Sequence, residues 1–119
     1  MPYTIEFLIS FFDMLLDGAP VLLGLILIIS ILAVVIGKRE QWSITDSLYY
    51  GFITATTVGY GDFHPTQGRN KLIAILMALL GLMLTGIVVA LTVEATIQTY
   101  EARAAREAAM IVTSWRFYD

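Results

Sequence analysis

Nine consecutive residues in the middle of the 119-residue chain, Thr54 to Asp62, combine three threonines with two glycines at alternate positions. Glycine adopts positive φ at little cost, so Gly59 and Gly61 would allow successive carbonyl groups to point the same way. Aligned carbonyl oxygens, with the hydroxyl of Thr57 at one end, can replace the water shell of a dehydrated cation. The chain has one histidine, no cysteine and no supported nucleophile–base pair, so we do not expect an enzyme.

The composition places this segment in a membrane protein. Hydrophobic residues make up 58% of the chain and charged residues only 14%, against about 25% charged in a typical soluble domain. The net charge of -3 argues against a nucleic-acid partner. The absence of cysteine excludes disulfides and thiol chemistry.

Two apolar runs are long enough to be membrane-spanning helices. The first, Val21 to Ile36, follows Pro20, which suits the first turn of a helix, and precedes Gly37, which with the next two basic residues is typical of a helix end. The second, Leu72 to Val93, would measure about 33 Å and cross the hydrocarbon core of a bilayer. These runs predict an outer and an inner spanning helix.

The two flanks have different compositions. The segment before Pro20 has a polar stripe (Glu6, Ser10, Asp13 and Asp17) among apolar residues, and this amphipathic pattern predicts an interfacial helix over residues 3–16. A cleaved signal peptide is the alternative, but the segment lacks a basic start. Residues 98–112 are good helix formers and predict that the second spanning helix continues into water.

The region between the two runs predicts a short helix. Ser43 and Asp46 form a helix-start pair, and Ile44 to Thr56 would form a helix of about 20 Å. This is too short to span a bilayer and fits a re-entrant segment. An extended segment after it would return the chain to the side from which it entered.

The sequence Thr54-Ala55-Thr56-Thr57-Val58-Gly59-Tyr60-Gly61-Asp62 resembles the selectivity filter of potassium channels. The layout over residues 18–100 resembles the two-transmembrane potassium channel pore domain. The resemblance implies an all-α membrane protein with an outer helix, a re-entrant pore helix with the filter, and an inner helix. Outside it lie residues 1–17, predicted as the interfacial helix, and 101–119, predicted as a cytoplasmic helical tail.

The resemblance also implies roles for individual residues. The K⁺ ions would bind the oxygens of Thr57, Val58, Gly59, Tyr60 and Gly61, while the side chains of Val58 and Tyr60 point into the protein. Asp62, Tyr49 and Tyr50 would support the filter from behind. Many relatives have tryptophans where this chain has the two tyrosines, and some have a buried glutamate in place of Ile53.

The inner helix and the outer mouth carry further candidates, each with a plainer alternative. Gly81 lies where inner helices of this family bend on opening, although close helix packing would also explain it. Val89, Val93 and Ile97 share one face, which could constrict the inner mouth or simply contact another helix. Glu94 could attract cations or be a solvated charge. His64 could sense external pH or be an ordinary loop residue.

One chain supplies one filter loop, and a closed ring of oxygens needs several, so we expect a homotetramer in contact with membrane lipids. K⁺ would be the permeant ligand, no cofactor is expected, and a regulatory partner stays open. The loop between the spans has four basic residues and the ends have three, so the positive-inside rule does not set orientation. Cytoplasmic termini and a cell-membrane location follow from the resemblance. The alternatives to a K⁺-selective channel are a weakly selective cation channel and a non-conducting adaptor subunit.

Overall fold

The computed structural model describes residues 2–118. Residue 1 of the predicted N-terminal segment and residue 119 of the predicted C-terminal segment lie outside the described residues. Three helices follow one another: α1, Pro2–Arg39; α2, Ile44–Ala55; and α3, Gly68–Trp115. Helices α1 and α3 contain 38 and 48 residues, about 57 and 72 Å, and each exceeds the roughly 30 Å of a hydrocarbon core. The 12 residues of α2 are too few to span. The predicted all-α class is confirmed, and no strand occurs within residues 2–118.

Helix α1 runs through Pro20 without a break, so the predicted helix start at this residue is wrong. Proline removes only one intrahelical hydrogen bond, to the carbonyl four residues earlier. Helix-forming residues lie on both sides of it, in an amphipathic segment before and an apolar run after, and membrane helices tolerate proline. The segment predicted as a separate interfacial helix is therefore the first part of α1, and its position at a membrane interface stays a prediction.

The end of α1 also differs from expectation. Gly37 is buried inside the helix, and a Cβ atom placed on it would lie 1.6 Å from the hydroxyl oxygen of Ser47. The left-handed residue that follows α1 is Gln41, two positions beyond the last helical residue, with a φ of 62°. The amide of Trp42 donates to the carbonyl of Gly37 at 2.8 Å, the bond of a Schellman cap. Gly37 thus allows α1 to pack closely on Ser47 of α2. The left-handed conformation is adopted by Gln41 instead of by a glycine.

The chain divides into two compact units. The first, Gly18–Val88, contains α2 and the adjoining parts of α1 and α3. Its core consists of Ile29, Ala33, Ile36, Tyr50, Ala55 and Met77. Helices α1 and α2 approach closely through small residues: Gly51 faces Ala33, and a Cβ atom on the glycine would lie 2.7 Å from that of the alanine. Small residues at the contact let two helices pack tightly in a membrane, where burial of apolar surface gives little driving force.

The second unit comprises the residues up to Asp17 and those from Val89 onward. Tyr3 and Tyr100 contact each other with ring centroids 5.4 Å apart. Arg106 donates to the carboxylate of Glu6, which belongs to the polar stripe found in the sequence. The predicted continuation of the second spanning helix is confirmed, because α3 is helical through Trp115.

Candidate functional site

Helix α2 begins and ends close to where the sequence predicts. The hydroxyl of Ser43 accepts a hydrogen bond from the amide of Asp46 at 3.1 Å, as expected for the helix-start pair. The helix ends at Ala55, and the amide of Thr56 donates to the carbonyl of Phe52 at 3.0 Å. A helix C-terminus carries partial negative charge. Helix α2 therefore directs a field that favours cations at the start of the candidate filter, residues 57–61.

The backbone of the filter segment alternates in conformation. Thr57, Gly59 and Gly61 have φ of 64°, 56° and 79°, whereas Val58 and Tyr60 between them do not have positive φ. An alternation of positive and negative φ allows successive carbonyl groups to point to one side of an extended segment. The two glycines were expected to adopt this conformation. Thr57 was not, because a β-branched residue has positive φ only rarely.

Few backbone hydrogen bonds fix this segment to the rest of the chain. The amide of Thr57 donates to the carbonyl of Thr54 at 3.2 Å, and the amide of Gly59 donates to that of Ile53 at 3.0 Å. Both bonds lie at the inner half of the segment, next to α2. No Cβ atom placed on Gly59 or Gly61 would meet a neighbour within 4 Å. The inner half is thus fastened to α2, and the outer half is open within one chain.

The side chains of Val58 and Tyr60 are 50% and 73% exposed. The same chain therefore does not provide the protein surroundings into which these side chains were predicted to point. If they are buried, the cover comes from another molecule. Their anchoring role stays a prediction.

Aromatic rings lie behind the filter segment. Trp42 contacts Tyr50 and Phe63 edge to face, with ring centroids 5.2 and 5.3 Å apart, and Phe63 also contacts Tyr49. The hydroxyl of Tyr49 interacts with the carboxylate of Asp62 as a hydrogen-bond donor. The structure thus brings together the three residues predicted as filter support, with Tyr50 buried in the core. Sequence reasoning missed Trp42 and Phe63, although tryptophan between two membrane segments is itself a signal.

Gly81 lies directly against the end of α2. It is buried, and a Cβ atom on it would lie 2.4 Å from the Cα and 2.7 Å from the carbonyl oxygen of Ala55. One turn later, the hydroxyl of Thr85 donates to that same carbonyl at 3.3 Å. Gly81 therefore meets a packing requirement here, in line with the plainer of its two interpretations. Its use as a hinge stays a prediction.

The remaining candidates lie on exposed surface. Val89, Val93 and Ile97 are exposed along α3, as are Glu94 on the same helix and His64 in the loop after the filter. Exposure in one chain is compatible with a lining or contact face in an assembly. It does not distinguish between the two interpretations of any of these residues.

A cluster of polar groups where the end of α1 meets the segment after the filter was not predicted. The carboxylate of Glu40 accepts hydrogen bonds from the backbone amides of Thr66 and Gln67 and from the side chains of Thr66 and Asn70. These donors lower the pKa of Glu40 to about 2, with the Asn70 amide making the largest contribution. The partners lie 26 to 30 residues from Glu40. No local pattern reveals such a pairing, and the only sequence signal is an asparagine at the start of an apolar helix.

The chain matches a family model described as "Ion channel" over residues 21–98, which is more than half of its length. It is 44% identical over 52 residues to "TWiK family of potassium channels protein 7" of Caenorhabditis elegans, covering 44% of the chain and 9% of that protein. It is 50% identical over 32 residues to "Open rectifier potassium channel protein 1" of Drosophila melanogaster, covering 27% of the chain and 3% of that protein.

It is also 36% identical over 73 residues to "Potassium channel KAT3" of Arabidopsis thaliana, covering 57% of the chain and 11% of that protein. The chain thus spans about a tenth or less of the length of these three relatives. No solved structure matches it significantly. The two long apolar helices fit an integral membrane protein with two spans. The chain belongs to the ion-channel family, whose members are channels rather than enzymes, and it carries a potassium channel pore domain.

Proposed function

We propose that the protein is a homotetrameric, potassium-selective channel that conducts K⁺ passively through residues 57–61. The observation that supports this most strongly is the alternation of positive φ at Thr57, Gly59 and Gly61. Carbonyl oxygens aligned by such a backbone, together with the hydroxyl of Thr57, replace the hydration shell of K⁺. Ions bind between Thr57 and Tyr60 and leave without chemical change, so no cofactor takes part.

The proposed tetramer is supported by what one chain leaves incomplete. A single filter strand offers oxygens on one side only, whereas a dehydrated cation needs them all round. The side chains of Val58 and Tyr60 and the filter backbone are exposed in the single chain. Irregular backbone at membrane depth is tolerated only where protein buries it or where it lines water. Four copies around one axis satisfy both conditions.

The channel lies in the cell membrane with both termini in the cytoplasm. In this orientation α2 enters from the outside, and the loop before α2, which contains Glu40, and the loop after it, which contains His64, form the outer mouth. The long extension of α3 and the first turns of α1 then lie on the cytoplasmic side. A regulatory partner could act on these exposed cytoplasmic residues.

A weakly selective cation channel is the second candidate, and a non-conducting adaptor the third. The tyrosine and glycines of the filter match the potassium channel pattern and favour selectivity. Side chains and backbone of this segment set the size of the ring of carbonyl oxygens. A non-conducting subunit would have no use for a threonine held at positive φ. Such a conformation costs about 1–3 kcal/mol.

Flux into liposomes tests the proposal. We expect the purified protein to take up rubidium and potassium but little sodium. Gly59→Ala should abolish the flux, since a side chain at φ 56° is strained although nothing blocks it sterically. Gly24→Ala is the matched control, because this glycine lies in α1 with equally open space around it and should tolerate alanine. Equal sodium and potassium uptake by the unchanged protein would support the second candidate, and no uptake the third.

A further inference from the structure

An apolar stripe runs along the part of α3 that belongs to the second compact unit. It begins with Val89, Val93 and Ile97 and continues at intervals of three or four residues with Tyr100, Ala104, Ala108, Ile111 and Trp115. All eight residues are exposed, and the six larger side chains are 45 to 69% exposed. A helix surrounded by water has no use for an apolar face of about seven turns. The stripe therefore indicates a contact that one chain does not make.

The intervals along the stripe are four, four and three residues, in repetition. They add up to a repeat of 11 residues, about 3.67 residues per turn, and helices that pack along such a repeat wind around each other with a right-handed twist. A seven-residue repeat continued from Tyr100 would place Glu107 and Ser114 in the contact instead of Ala108 and Trp115. The spacing thus favours a right-handed bundle over the left-handed coiled coil of a seven-residue repeat.

The described part of the same chain leaves the stripe uncovered. Ala95 and Thr99 lie on the opposite side of α3 and are buried, and the only other segment of this unit is the first part of α1. Tyr3, near the start of that segment, reaches the ring of Tyr100. Every described residue from Tyr100 onward is exposed. A cover for the stripe therefore has to come from another molecule.

The bilayer does not reach most of the stripe. The apolar run that spans the membrane ends at Val93, and α3 continues as one helix through Trp115. At a rise of 1.5 Å per residue, the helix after Val93 is about 33 Å long. Ile111 and Trp115 thus lie well beyond the end of the spanning run, where water and not lipid surrounds a single helix.

The charged residues beside the stripe suit a contact between identical helices. Glu101 lies on one flank of the stripe, and Arg103 lies on the other, where its Nε is 3.9 Å from the carboxylate of Glu107. In a ring of identical parallel helices, one flank of each helix meets the opposite flank of the next. Glu101 of one copy then faces Arg103 of the next at nearly the same height. Charge pairs that flank an apolar seam set partner choice and orientation in helical bundles.

We propose that residues 89–115 of four copies form a parallel, right-handed four-helix bundle in the cytoplasm, with the stripe as its apolar seam. The first three members of the stripe are the residues predicted at the inner mouth, so the seam starts where the pore ends. This inference rests on the proposed function for the number of copies and for the side of the membrane.

Disulfide cross-linking of the full chain in lipid nanodiscs tests the bundle. The chain has no cysteine, so each single variant carries one thiol per copy. Ala104 lies on the stripe and Ala102 lies on the opposite side of α3, and both are exposed. Because a disulfide needs Cα atoms within about 7 Å of each other, Ala104→Cys should form cross-linked dimers roughly tenfold faster than the matched control Ala102→Cys.

A second pair of variants tests the spacing. The 11-residue repeat places Ala108 on the seam, whereas a seven-residue repeat places Glu107 there. We expect Ala108→Cys to cross-link faster than Glu107→Cys. The reverse order would overturn the right-handed arrangement.

A charge placed in the seam gives an independent measurement. Ala104→Asp puts one carboxylate from each copy into the seam, and a buried charge without a partner is destabilising. This variant should lower the temperature at which the tetramer dissociates in detergent, whereas Ala102→Asp should leave it unchanged. Equal dissociation temperatures for the two variants would contradict the bundle.

The outcomes separate this inference from the proposed function. If the unchanged protein shows no rubidium flux but the cysteine of Ala104→Cys cross-links rapidly, the proposed function is wrong and the bundle stands. If flux is potassium-selective but Ala104→Cys and Ala102→Cys cross-link at equal rates, the channel stands and the bundle is wrong. The stripe would then face water, lipid or a different protein.

Discussion

The inner and outer ends of the filter segment are held by different kinds of contact. At the inner end α3 approaches α2 through a glycine, and the surroundings of Gly81, Ala55 and Ile53 are buried and mostly apolar. At the outer end an ionised carboxylate, that of Glu40, gathers four hydrogen bonds. Close packing resists any added atom, whereas a hydrogen-bonded ion depends on charge and pH. The two ends should therefore respond to different perturbations.

The largest effect is expected at the inner end, from Gly81→Ala. The added methyl carbon would overlap the backbone of Ala55, which cannot rotate away as a side chain can. Overpacking of this kind costs about 1–3 kcal/mol. We expect a lower midpoint of thermal unfolding in detergent and, in bilayers, a changed open probability.

Gly86→Ala on the same helix is the control, since a Cβ atom there would meet nothing within 4 Å. Alanine is about 1 kcal/mol better than glycine inside a helix, so this variant should be at least as stable as the original. Equal effects of the two substitutions would show that helix propensity, and not the contact with Ala55, determines the response.

A smaller effect, confined to acid, is expected at the outer end. The pKa of Glu40 is lowered from 4.5 to about 2 in the folded protein. A lowered pKa means that the folded state favours the ionised form, so this stabilisation is complete above about pH 4.5 and is lost as pH falls towards 2. The stability difference between the original and Glu40→Gln should thus be constant at neutral pH and shrink through this window. Gly81→Ala should show no such dependence, and a parallel decline would contradict the distinction between the two ends.

The smallest effect is expected from Gln41→Gly, next to the outer cluster. Gln41 occupies a left-handed position at which glycine is usual. The substitution should stabilise the cap of α1 by about 1 kcal/mol or less, because the more flexible unfolded chain offsets part of the relief. The midpoint of thermal unfolding should rise slightly. A fall would show that the glutamine side chain contributes a contact that outweighs the strain.

The sequence predicts well those elements of the fold that depend on local residue patterns. The two apolar runs, the Ser43–Asp46 helix start and the short helix α2 depend on residues within a turn or two of each other. The positive φ of Gly59 and Gly61 is predictable because glycine adopts such angles at little cost. Tyr49, Tyr50 and Asp62 lie near one another beside the filter segment, as the resemblance implies, and their supporting role stays a prediction.

The parts that escape prediction depend on pairings across the chain. Glu40 meets Asn70 only because the end of α1 and the start of α3 lie together in the folded unit. Gly37 resembles a helix end in sequence, yet its partner Ser47 in α2 determines its role. Pro20 looked like a boundary because the first span was predicted from the apolar run after it, whereas the amphipathic segment before it continues the same helix. Thr57 adopts a conformation that its residue type disfavours, which local propensity cannot reveal.

The most direct test of the proposed channel is the reversal potential of a planar bilayer with K⁺ on one side and Na⁺ on the other. The alternating backbone at residues 57–61 predicts a potential set by K⁺, and Tyr60→Asp should move it towards zero while current persists. Gly24→Ala should leave it unchanged. A reversal potential near zero for the original protein, or one that Tyr60→Asp does not move, would contradict the assignment of residues 57–61 as the selectivity filter.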